Sequence, residues 1–79
     1  MPFAHKKAED HLNIAIKTAG KMGAKSVLGQ AYLELGKLHK AKGKTEKARE
    51  CISNAIGAFE KCEADVFLKQ AREALAALG

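Results

Sequence analysis

Apolar residues along this chain return at the three- and four-residue intervals of an amphipathic helix, and no run of Val, Ile and aromatics reads as a strand. Ala8, Leu12, Ala15, Ile16 and Ala19 share one face and predict a first helix over about residues 5–19. A second stripe, Val27, Leu28, Ala31, Tyr32, Leu35, Leu38 and His39, predicts a helix over about 26–41. Ser26 is its expected N-cap, and Gly43 suits the left-handed position just past its end. Ala48, Ile52, Ala55, Ile56, Phe59 and Cys62 mark a third helix from about Thr45. Phe67, Leu68, Ala71, Leu75 and Leu78 mark a fourth, with Asp65 as its expected N-cap. Fifteen alanines, twelve lysines and eight leucines are strong helix formers, and the one proline is Pro2. The expected class is all-α: about four helices, antiparallel because the links are short. Between the third and fourth helices neither Gly nor Pro occurs, so one continuous long helix is the alternative there.

Self-comparison adds a repeat. Ala8, Leu12, Ala15 and Ile16 return as Ala48, Ile52, Ala55 and Ile56, each 40 residues on. Helices one and three are therefore the same kind of unit, with helix two between them as another kind. Gly36 stands inside helix two, where glycine costs about 1 kcal/mol against alanine. That cost is tolerated where a second backbone comes close, and the expected neighbour is helix three near Ala48 and Ile52. Gly57 carries the same cost, and nothing in the pattern accounts for it.

Tyr32-x2-Leu35-Gly36-x2-His39, then Ala48-x3-Ile52 and Ala55, resemble the tetratricopeptide repeat, a 34-residue helix-turn-helix with the pattern W-x2-L-G-x2-Y, A-x3-F, P. The chain departs from that pattern at three places. His39 stands for the tyrosine, Ile52 for the aromatic, and Glu60 for the closing proline. The likeness implies a solenoid fragment in a single domain: half a unit over about 5–21, a full unit over about 26–62 and a capping helix over about 65–78. The 40-residue offset then predicts an extended turn around 20–26. The stretch from Leu28 to Gly43 is also similar to repeat arrays at the C-terminal ends of large bacterial signalling proteins with cyclase or ATPase modules.

Seventy-nine residues make one small domain, and about three repeats are normally needed for stability. Part of helix one, with Phe3 and Ile14, is accordingly expected to stay exposed, and the chain to self-associate edge to edge or by exchanging helices through 62–64. Uncharged runs fall far short of the roughly 20 residues a bilayer span needs, and no secretory leader pattern opens the chain, so a cytoplasmic location is expected. Cys51 and Cys62, eleven residues apart on one helix, cannot pair, and are expected as reduced core residues. His5, His11 and His39 share no ligand spacing and are expected in solvent, although His39 also falls on the second stripe; neither metal nor cofactor is expected.

Charge divides unevenly. Residues 1–44 hold nine lysines and three acids, net +6, and residues 45–79 are net −1, within an overall +5. A small basic nucleic-acid binder is the alternative function this suggests. Arginine occurs only at Arg49 and Arg72, and aromatics for base stacking are scarce, so protein binding stands ahead of it. No nucleophile, base and acid fall at a catalytic spacing, and Gly20-Lys21-Met22-Gly23 lacks the ending of a phosphate loop. The expected function is a non-enzymatic module for a peptide or helical partner. By the repeat resemblance, the first helix of the full unit lines a concave face, which puts Gln30, Leu33, Lys37 and Lys40 there. Leu33 is the expected apolar anchor, and the two lysines would favour an acidic peptide.

Overall fold

The structure is a computed structural model that describes the backbone of residues 2–78 and the side chains of residues 6–78. The side chains of Phe3 and His5 lie outside the described residues. Four helices follow in order: α1 (Pro2–Met22), α2 (Lys25–Ala41), α3 (Thr45–Lys61) and α4 (Asp65–Ala76). Among the described residues no strand occurs, and the all-α architecture expected from the pattern is present.

One turn joins every pair of helices. Gly23, Gly43 and Glu63 take φ of 68, 77 and 54°, twenty residues apart each time. The amide of the next residue reaches back five positions: Ala24 to the Ala19 carbonyl (3.0 Å), Lys44 to His39 (2.8 Å) and Ala64 to Phe59 (3.0 Å). The left-handed residue itself donates to Gly20, Lys40 and Glu60. These paired bonds satisfy carbonyls that a helix end leaves open, the Schellman arrangement. The carbonyls of Ala24, Lys44 and Ala64 then accept the first bond of the following helix, from Leu28, Ala48 and Leu68. A single residue thus ends one helix and begins the next.

Several sequence expectations change on this account. The α1–α2 link is no longer than the other two, so the extended turn around 20–26 is absent. Ser26 and Asp65 lie inside their helices, and Ala24 and Ala64 hold the N-cap positions without a side-chain bond. α3 and α4 are separate helices, because Glu63 adopts the left-handed conformation glycine holds in the other two turns. That conformation costs a non-glycine residue about 1 kcal/mol. Glu63→Gly is therefore expected to stabilise the chain by about 0.5–1 kcal/mol, read as a rise of several degrees in a thermal melt.

Successive helices pack on one another, and α4 folds back to touch α2 as well. Leu33, Ile52, Ala55, Phe59 and Ala71 are wholly buried among Tyr32, Ile56, Phe67 and Leu68. Two glycines bring α2 onto α3. A Cβ on Gly36 would lie 2.6 Å from Ile52 Cγ1 and 3.2 Å from the Ala48 carbonyl oxygen, and one on Gly29 would lie 2.5 Å from the Phe59 ring. An added Cβ at Gly57 meets nothing within 4 Å, so packing gives no reason for that glycine.

Candidate functional site

Of the positions singled out by the repeat pattern, Gly36 meets Ala48 and Ile52 at the α2–α3 seam. Leu35, Gly36, His39, Ala48, Ile52 and Ala55 are buried, and Tyr32 is half-buried. The expected concave residues differ in exposure. Gln30 is half-buried, Lys37 and Lys40 are exposed, and Lys37 pairs with Glu34 at 3.7 Å. Leu33 must be corrected: it is 1% exposed and cannot anchor a ligand. It faces the side of α2 where α3 and the returning α4 meet, and that closure depends on a contact about forty residues away.

The exposed apolar surface lies elsewhere. Among the described residues α1 packs on α2 alone, whereas α3 packs on both α2 and α4. The unpartnered side of α1 and the start of α2 form an open groove of about 400 Å³. Ala15, Ala19 and Ala24 line it with Thr18, and Ile14, Met22 and Val27 stand around it 65, 75 and 55% exposed. Val27 therefore leaves the core stripe assigned from periodicity, as does the exposed Ala8, because no helix lies against either. The pattern alone had pointed to Ile14. The 40-residue offset locates the rest, since Ala15, Thr18, Ala19, Ala24 and Val27 correspond to Ala55, Ala58, Phe59, Ala64 and Phe67. Those counterparts are buried or half-buried, with Phe59 and Phe67 rings 5.6 Å apart.

At the other end of the stack, α4 presents Asp65, Lys69, Arg72 and Glu73 around a shallow hollow. Arg72 bonds Glu60 across the α3–α4 corner at 3.3 Å. Leu68 and Ala76 also line that hollow, and Val66 of α4 is 69% exposed, so that end mixes charged and apolar surface. Glu60 thus pairs with α4 at the position where the repeat pattern has proline. Glu46 and Arg49 form a surface ion pair one turn apart on α3, at 4.0 Å.

Ionisable groups gather at one corner of α1, α2 and α3. Lys42 Nζ donates to Glu9 Oε2 at 3.0 Å, and that bond holds the Glu9 carboxyl below its usual range. His39 is 5% exposed, and its Nδ1 has no hydrogen-bond partner among the described residues. It is not solvated as expected from sequence, because it occupies the inward position just before the turn, as Ala19 and Phe59 do in the other two. Burial pushes its pKa below 6.5; Glu9 opposes this, and Lys42, Lys47 and Lys44 add to it. In the unfolded chain the imidazole takes a proton near 6.5, while the folded site takes it only at lower pH. The contribution to stability is therefore full above about pH 6.5 and lost as pH falls through the depressed folded value. Urea midpoints measured from about pH 7.5 to 5 are expected to fall, and His39→Leu is expected to flatten that slope.

Cys51 is half-buried and Cys62 exposed, so neither is the core residue expected. Both are free thiols, and burial with Glu50 and Glu9 nearby pushes the Cys51 thiol up, away from the reactive thiolate. Among the described residues no cluster of His, Cys, Asp and Glu is placed to hold a metal, and no helix is long and apolar enough to cross a membrane. No protein-family pattern, curated protein or solved structure matches the chain.

Proposed function

We propose that this chain is a non-enzymatic protein-interaction module whose contact surface is the open side of α1 with the start of α2. The reading rests on one observation: an apolar groove left uncovered on a helix whose repeat counterpart, α3, has the same side buried under α2. Isolated exposed apolar residues are ordinary, but Ile14, Met22 and Val27 are contiguous around one groove and mark a place of contact. The tetratricopeptide likeness supports the same mode of action, since such repeats bury their faces on neighbours. A reducing, cytoplasmic setting fits two unpaired thiols. Nucleic-acid binding gains nothing from the arginines, as Arg49 and Arg72 each face a glutamate. The lysines leave it as an outcome of the test.

A photo-reactive residue placed at Thr18, compared with one at Glu73, tests this in the source cell. Protein adducts at position 18 and none at 73 are expected. Adducts with nucleic acid, or equal protein labelling at both positions, would reject the reading.

A further inference from the structure

The partner that fits this groove can be specified further, given that the open side of α1 is the contact surface. We infer that it receives an amphipathic α-helix from another protein, lying across α1 as α2 lies across α3, with an acidic residue in its first turn and a bulky apolar residue over Ala19.

The internal repeat supplies the seat. α2 rests on α3 with Lys25, Leu28 and Tyr32 beside Asn54, Ala58 and Lys61. Forty residues earlier these three α3 positions are Ile14, Thr18 and Lys21, on the open side of α1. A helix in the same register would therefore place its first turn near Lys21. Its counterpart of Tyr32 would come near Ile14 and Thr18.

Two differences between α1 and α3 define what that helix carries. Gly29 of α2 is glycine because a side chain there would run into the Phe59 ring at 2.5 Å. The α1 counterpart of Phe59 is Ala19, itself 3% exposed, so a helix laid on α1 as α2 lies on α3 meets a methyl where Gly29 meets a ring and has room for a large apolar side chain. The second difference is charge. From His11 to Leu33 the chain contains Lys17, Lys21 and Lys25 and no acid, and all three lysines are exposed. An acidic first turn answers Lys21 directly and is also favoured by the helix dipole. The same lysines argue against a second copy seated face to face, which would bring like charges together around the groove. The exposed Lys69 and Glu73 of α4, at the counterparts of Gly29 and Leu33, argue against a head-to-tail copy, which would set two charges where α2 presents a glycine and a buried leucine.

The probe is a fluorescein-labelled, acetylated peptide copying residues 25–41 with Lys25→Glu and Gly29→Phe, titrated against the whole chain by anisotropy. Saturable binding is expected, at least tenfold tighter than that of the unaltered copy. Met22→Glu, at an exposed site, is expected to weaken it tenfold or more with helical circular dichroism retained. Lys21→Glu should reverse the charge preference, favouring a peptide that keeps Lys25. Equal binding of both peptides, binding indifferent to Met22→Glu, or none at millimolar protein overturns the inference. So does a dimer in sedimentation that Ile14→Glu dissolves while the probe fails to bind, which would make a second copy the occupant. Protein adducts at Thr18 without peptide binding would leave the interaction reading standing and remove only the helical partner.

Discussion

Gly36→Leu is expected to lower the thermal midpoint by about 12–24 °C, the consequence of roughly 3 kcal/mol in a chain of this size. A first methyl at this position already comes 2.6 Å from Ile52 Cγ1. The Ile52 side chain can turn away only into a core where Leu33, Ala55 and Phe59 are wholly buried. The second neighbour, the Ala48 carbonyl oxygen at 3.2 Å, belongs to helix backbone and cannot move without moving α3. A leucine therefore forces the two helices apart and strips contacts along the whole seam. Total stability is expected to be only about 4–12 kcal/mol at ordinary per-residue values. Circular dichroism melts at low concentration measure the change, and an unaltered midpoint would contradict the α2–α3 packing. Gly57→Ala serves as the opposite case. With open space around the added methyl, it should gain the helix-propensity difference of about 1 kcal/mol and raise the midpoint.

Phe59→Ala is expected to cost about 3–5 kcal/mol, the range for removing a buried aromatic side chain. Phe59 is 0% exposed, lies against Gly29 of α2, and stacks at a tilt on Phe67 of α4, so one ring joins three helices. A sharper test couples two positions. Gly29→Ala alone is expected to destabilise, because its methyl would meet the ring at 2.5 Å. In the Phe59→Ala background the same change fills part of the vacated space and improves helix propensity, so its sign should reverse. Urea unfolding of the four variants gives the coupling directly. Additive costs would show that Gly29 and Phe59 do not face each other.

The helical segments, their extents to within a few residues and most of the positions they turn inward were legible in the order of residues, because periodicity is a local property of the chain. The likeness of α1 to α3 was legible for the same reason, and so was the meaning of Gly36. Other features depended on distant partners. Gly29 looks like any glycine until the Phe59 ring, thirty residues later, lies against it. Leu33 and Val27 differ little as apolar residues of one helix. Yet Leu33 is buried where α3 and α4 meet, and Val27 is 55% exposed where no helix follows. Composition gave no sign of the turn at Glu63, because a left-handed glutamate is held there by the bonds it allows the ends of α3 and α4 to make. Helical tendency is settled among neighbours a few residues apart. Burial is settled by which surfaces meet, and here that leaves one side of α1 without a neighbour.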